Sequence, residues 1–222
     1  MATVLLARHG ETDWNAERRW QGHTDRPLNE RGRAQSRALA ERLDGTELAA
    51  VYSSDLERAR ATAAAVAERQ GVPHLVDADL REVDVGSWAG LTRAQAERRF
   101  PEAFARWSDG YAGWPDGETY EAMSARVVTA VKRIAREHRD RPVLVVSHGG
   151  PIRAIHAAAL GLDVQTYRRL RPVEPNARLS AVCLDDACSF TELCPAGSID
   201  DAIARDREER LEAARRPPTP GG

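Results

Sequence analysis

Thr3-Val4-Leu5-Leu6-Ala7-Arg8-His9-Gly10 and Pro142-Val143-Leu144-Val145-Val146-Ser147-His148-Gly149-Gly150 are the two stretches that decide the fold. Each is a short apolar run, without polar alternation, that ends at a histidine followed by glycine. Such a run reads as a strand buried on both faces, as in a parallel sheet covered by helices. Leu48 to Ser53 is a further run of this kind, and His74 to Val76 is a weaker one.

Helical patterns fill the intervals. From Asn29, residues Ala34, Ala38, Leu39 and Leu43 share one face. Ser54-Asp55-Leu56-Glu57 has the Ser-x-x-Glu form of a capping box, which predicts a helix start there and a stop at Gly71. Thr92-Arg93-Ala94-Gln95 repeats the pattern ahead of a short helix. Met123, Val127, Val131 and Ile134 mark another helix that runs to about His138, and one more is expected after Gly150. Leu179 to Leu184 and Ser189 to Leu193 read as a late hairpin. Arg8 to Pro27, Leu80 to Gly86 and Phe100 to Gly117 read as irregular. The last of these, with Trp107, Tyr111 and Trp114, is either a wall over a pocket or a loop anchored to the core. Strands alternating with helices predict an α/β domain with a mostly parallel sheet over residues 1–194. Residues 195–222 form a polar extension, in which a charged helix is expected to lead into a disordered Pro-Gly tail.

The bulk composition narrows the function. With 222 residues and 42% apolar content, the chain can bury a core without disulfides or a structural metal. Its 32 basic and 34 acidic residues leave no global positive field, which argues against a nucleic-acid binder. Lys132 is the only lysine, so every other fixed cation is an arginine, whose planar fork suits phosphate. Three cysteines without CxxC spacing read as reduced thiols. No signal-peptide pattern and no membrane-length apolar stretch is visible, so a cytoplasmic protein without membrane contact is expected. Oligomeric state is left open, a homodimer being one alternative.

In a parallel sheet, ligands bind outside the carboxyl ends of the strands. Arg8, His9, Arg58 and His148 all follow such ends. Two arginines and two histidines gathered at one rim repel one another unless an anion sits among them, which points to phosphate. Taken singly, each residue has a plainer reading: a structural histidine, an exposed arginine, a glycine turn. The six histidines show no HExxH or Cys/His ligand spacing, so a metal site is not expected.

Taken in order, the motifs carry more weight. Arg8-His9-Gly10-Glu11-Thr12 with Trp14-Asn15 resembles the histidine phosphatase superfamily, also called phosphoglycerate mutase-like. Gln21-Gly22, Ser53-Ser54-Asp55-Leu56-Glu57-Arg58, Leu80-Arg81-Glu82, Gly117-Glu118-Thr119 and Ser147-His148-Gly149-Gly150 continue the resemblance. It implies a three-layer α/β/α fold and metal-independent hydrolysis of a small phosphate ester, with no cofactor. His9 is then the nucleophile that becomes phosphohistidine, and Glu82 is the acid/base. Arg8, Arg58 and His148 stabilise the phosphoryl oxygens. Asn15, Gln21, Gly22 and Gly149 are expected to bind substrate.

Mutases of this family carry Arg-His-Tyr after the glutamate and Asn after the last His-Gly. This chain has Val83-Asp84-Val85 and Gly150, which resembles the phosphatase branch. Sugar phosphates and phosphoglycerate derivatives are the substrates implied. Arg18, Arg19 and Arg93 are either contacts to a second anionic group or simply exposed. A phosphoglycerate mutase is the alternative reading, and a non-catalytic phospholigand binder a further one.

Overall fold

The computed structural model describes residues 1–110 and 113–194. Strands β1 (Ala2–Arg8), β2 (Val51–Ser53), β3 (His74–Val76) and β4 (Val143–Ser147) are parallel. Strands β5 (Leu179–Leu184) and β6 (Phe190–Cys194) form the expected hairpin, and β5 pairs antiparallel with β1. The order across the sheet is β3-β2-β4-β1-β5-β6. The 195–222 extension and Tyr111 lie outside the described residues.

Alternation along the central strands divides the core between two faces. Leu5, Ala7, Leu144 and Val146 pack on one side with Leu39, Leu43, Ala63 and Val66. These come from helices α2 (Glu30–Arg42) and α3 (Glu57–Gln70), together with the residue that ends α2. Val4, Leu6, Val143 and Val145 pack on the other side with Met123, Val127, Ile134 and Ile155. That face is covered by α6 (Tyr120–Glu137) and α7 (Gly149–Ala159). The architecture is therefore α/β/α in three layers. Among the described residues, no helix is long and apolar enough to cross a membrane.

Several local expectations are corrected. The Ser54 capping box does not form: α3 starts at Glu57 behind Leu56, with no side-chain cap. The Ser54 hydroxyl instead meets His148 Nε2 at 2.7 Å, so a tertiary contact takes the group that local sequence assigned to the helix. The buried face of α2 is Gly32, Ser36, Leu39 and Ala40, while Ala34 and Ala38 are exposed. Gly32 sets that rotation, because a Cβ there would lie 2.0 Å from the carbonyl oxygen of Glu11. Helix α7 starts at Gly149, ahead of the expected point.

The stretch read as an irregular loop contains α5 (Pro101–Ser108), which buries Phe104 and Trp107. Pro101 looks like a breaker in sequence, yet it occupies the first helical turn, where no amide is needed. Three short helices complete the set: α1 (Asp13–Ala16) inside the polar stretch, α4 (Arg93–Arg99) behind its Thr92–Gln95 capping box, and α8 (Val164–Leu170). The first and last of these carry no periodicity long enough to read.

Candidate active site

Adjacent parallel strands bring the chemistry together. Arg8 pairs with Ser147 at the carboxyl ends of β1 and β4, and the His9 amide donates to the Ser147 carbonyl at 3.0 Å. His9 is 2% exposed. Its Nδ1 lies 2.7 Å from the Gly10 carbonyl, which can only accept, so Nδ1 carries the proton and Nε2 keeps a lone pair. Burial holds the His9 pKa well below the ordinary histidine range, and the Arg58 and Arg8 charges push it the same way. The imidazole is therefore neutral near pH 7. Beneath it, the Gly10 amide donates to Thr62 Oγ1 (3.0 Å), and a Cβ at Gly10 would lie 2.5 Å from the Gly32 carbonyl. Gly10 is thus a contact that only glycine permits.

Arg58 is fully buried and has no carboxylate partner among the described residues. It donates to the carbonyls of Thr24 (2.9 Å) and Gly22 (2.8 Å) and, through Nε, to His148 Nδ1 (3.2 Å). Burial lowers its pKa to about 10, so it stays charged near neutrality. Arg8 donates to the Glu174 carbonyl (2.9 Å), and its Nε is buried without a partner. Two guanidiniums are therefore desolvated with only neutral acceptors, an arrangement that costs stability unless an anion joins them.

His148 is fully buried and forms no part of the cavity lining; it stands behind it, its ring 5.0 Å from that of His9. Because Nδ1 accepts from Arg58, Nε2 carries the proton and donates to Ser54. Burial and the surrounding Arg58 charge keep it neutral as well.

Glu82 enters from the other side. Its Oε1 accepts from the amides of Val83 and Gly150, both at 3.0 Å, which leaves Oε2 for proton transfer. A Cβ at Gly150 would lie 2.5 Å from that Oε1, so the glycine makes room for the carboxylate. Arg126 holds the segment: it donates to the carbonyls of Asp79 (2.8 Å), Arg81 (2.8 Å) and Glu82 (2.9 Å), and grips Glu118 with two hydrogen bonds of 2.7 Å. Sequence reading missed Arg126. An arginine among helix surface residues carries no local sign that it faces three carbonyls.

Arg8, His9, Asn15, Gln21, Gly22, Arg58, Glu82 and Gly149 all line one cavity of about 470 Å³. The Asn15 oxygen caps the Thr12 amide (3.1 Å), leaving its NH₂ group as a donor. The far wall is made by Trp20, Trp107, Trp114 and Tyr120 with Arg19, Arg93, Arg153 and Arg168. Trp107 and Trp114 are both core and wall, so the two readings of that segment coincide. Arg19 and Arg93 reach the cavity; Arg18 does not. Arg153 and Arg168 went unnoticed in the sequence. Among the described residues, no group of three or more His, Cys, Asp or Glu side chains is placed to hold a metal ion.

Comparison with known proteins shows the family. The profile of the histidine phosphatase superfamily (branch 1) matches residues 4–193. Phosphoglycerate mutase-like protein 4 of Arabidopsis thaliana is 40% identical over 71% of each chain. Phosphoserine phosphatase 1 of Hydrogenobacter thermophilus is 33% identical over 75% of this chain and 80% of that one. The structure of a mycobacterial glucosyl-3-phosphoglycerate phosphatase complexed with VO3 has a TM-score of 0.76 at 35% identity, covering 87% of this chain and 97% of that one.

Proposed function

The chain belongs to the histidine phosphatase superfamily and is a phosphoric monoester hydrolase, and from that premise we propose that it hydrolyses small phosphorylated metabolites through a phosphohistidine at His9. The observation that carries this reading is the 2.7 Å contact of His9 Nδ1 with the Gly10 carbonyl. It leaves a neutral Nε2 beside two buried guanidiniums.

Nε2 attacks phosphorus in line, and the P–O ester bond breaks as Glu82 gives its proton to the leaving oxygen. Glu82, now a carboxylate, takes a proton from water as that water attacks phosphorus. The P–N bond then breaks, releasing phosphate and restoring His9. Arg8, Arg58 and the Asn15 amide stabilise the charge spread over the phosphoryl oxygens. His148 holds Arg58 through Nδ1, and Gln21, Gly22 and Gly149 shape the floor. No step uses a metal or cofactor. The substrate is of sugar-phosphate or phosphoglycerate type, in keeping with the named substrate of the similar glucosyl-3-phosphoglycerate phosphatases. The enzyme acts in the cytoplasm, in keeping with a chain of only three cysteines that lack CxxC spacing.

The test is phosphate release from p-nitrophenyl phosphate in EDTA. His9→Ala is expected to lose at least about 10³-fold in rate, and a quench in alkaline denaturant is expected to trap an alkali-stable, acid-labile phosphoenzyme that His9→Gln cannot form. Full activity in His9→Ala sinks the mechanism. Rapid interconversion of 2- and 3-phosphoglycerate with little phosphate release favours the mutase instead.

A further inference from the structure

The cavity holds cations that this chemistry does not use. Arg153 on α7 and Arg168 on α8 line its outer wall, and both are half-buried. Arg168 is held between rings, its guanidinium carbon 4.5 Å from the centroid of Trp107 and 5.0 Å from that of Tyr120. Its terminal nitrogens donate to Gln165 Oε1 (3.1 Å) and the Trp107 carbonyl (3.3 Å). Arg153 gives one hydrogen bond, to the Arg171 carbonyl (3.2 Å), and its Nε is buried without a partner.

Neither forms an ion pair among the described residues, and the two charges repel each other. Like charges that serve only to steer a ligand belong on the surface, where solvation is free. Bringing two of them under cover without an ion-paired carboxylate, with Glu82 acting only at longer range, costs stability unless an anion is bound there.

We propose that Arg153 and Arg168 form a second anion subsite, which receives a carboxylate carried on the same molecule as the scissile phosphate. The proposal rests on the phosphatase reading above. Arg153 lies one helical turn beyond Gly149 and Gly150, at the rim of the phosphoryl floor, and it interacts electrostatically with both Arg8 and Glu82. The two subsites are therefore contiguous, within the span of one small molecule. The Arg153 terminal nitrogen Nη1 donates to nothing among the described residues, so it is the donor left to meet a carboxylate oxygen. Arg168 has fewer free donors and contributes mainly charge, so the pair does not offer the many donors a second phosphoryl group needs.

The experiment compares two phosphonates that cannot be hydrolysed, 3-phosphonopropionate and propylphosphonate, which differ by a carboxylate in place of a methyl group. By calorimetry, the wild-type protein is expected to bind the carboxylate-bearing ligand about ten- to a hundredfold more tightly, the worth of a charge-assisted hydrogen bond. In Arg153→Met, and in the double variant with Arg168→Met, that preference is expected to disappear. A wild-type preference below about tenfold, or one that survives in Arg153→Met, overturns the subsite. The wild-type comparison needs no variant to fold. Failure of both ligands to bind overturns the phosphatase reading and the subsite with it, whereas equal binding overturns the subsite alone.

Discussion

Around His9 the polar groups are held by backbone, whereas around Trp107 they are held by rings. The Gly10, Gly22 and Thr24 carbonyls orient His9 and Arg58, and the Val83 and Gly150 amides fix Glu82. On the outer wall, Arg93 lies over Phe104 and Trp107, and Arg168 over Trp107 and Tyr120. Backbone dipoles fixed by packed loops and a helix start have little freedom to drift, and a phosphoryl transfer that depends on alignment is best served by them. Ring faces attract a cation without a fixed direction, so a wall built from them accepts ligands of varied shape. The floor is suited to one reaction, and the wall to choosing among esters.

The strongest way to break this contrast is to remove a charge from the floor. Arg58→Met is expected to lower kcat/KM by about 10³-fold, the scale of losing a preorganised donor to transition-state charge. Its phosphoenzyme signal is expected to vanish in the alkaline-quench assay. A loss under tenfold breaks the view that Arg58 stabilises the transferring group. The corresponding change in the wall acts on folding. Trp107 is 8% exposed and contacts Trp20, Trp88, Phe104 and Trp114. Trp107→Ala is therefore expected to cost about 3 kcal/mol in urea denaturation, at the low end for a buried tryptophan because this site borders solvent. The phosphoenzyme is still expected to form. If Trp107→Ala abolishes it while remaining folded, floor and wall are not separate.

The same contrast decides what the sequence could reveal. The floor was legible because its residues follow strand ends, and a parallel sheet gathers such ends regardless of loop detail; Arg8, His9, Arg58 and Glu82 line one cavity. The wall was not. Apart from Arg19, its cations come from α4, α7 and α8, and the rings facing Arg93 and Arg168 come from α5 and the start of α6, so no local spacing joins Arg168 to Trp107. Ser54 shows the limit from the other direction. Its motif predicts a cap that does not form, because a buried hydroxyl that completes the His148 network overrides a local helix signal. The inward face of α2 was likewise hidden, because backbone contact between Gly32 and Glu11, not hydrophobicity, sets its rotation.

Gly150 sharpens the role assigned to Glu82. In Gly150→Ala the new Cβ meets Glu82 Oε1, the end of a flexible side chain, so the fold is expected to survive while the carboxylate is displaced. Alkyl phosphate hydrolysis is expected to fall about 10²-fold, the lower range for general acid catalysis. Hydrolysis of p-nitrophenyl phosphate should fall much less, because p-nitrophenolate leaves without a proton. Equal losses on the two esters mean that Glu82 is not the acid.

The smallest of these effects separates binding from burial. His156 lies away from the cavity, 2% exposed, with Nδ1 at 3.1 Å from the Tyr167 hydroxyl and Nε2 at 2.8 Å from Ser180 Oγ. Burial alone lowers its pKa to about 4. Unfolded, it titrates near 6.5. Between those values the unfolded chain binds a proton that the folded chain refuses, so stability is complete above about pH 6.5 and falls as pH drops towards 4. From pH 7 to pH 5 this amounts to about 2 kcal/mol. His9 and His148 are also depressed, so they add acid sensitivity of the same sign, but theirs is tied to a site where an anion can bind. Urea denaturation of His156→Gln at the two pH values is expected to remove the His156 share with or without phosphate. Phosphate itself is expected to stabilise the wild-type protein and the variant alike. If the variant keeps the full pH dependence, the acid sensitivity comes from the His9 floor.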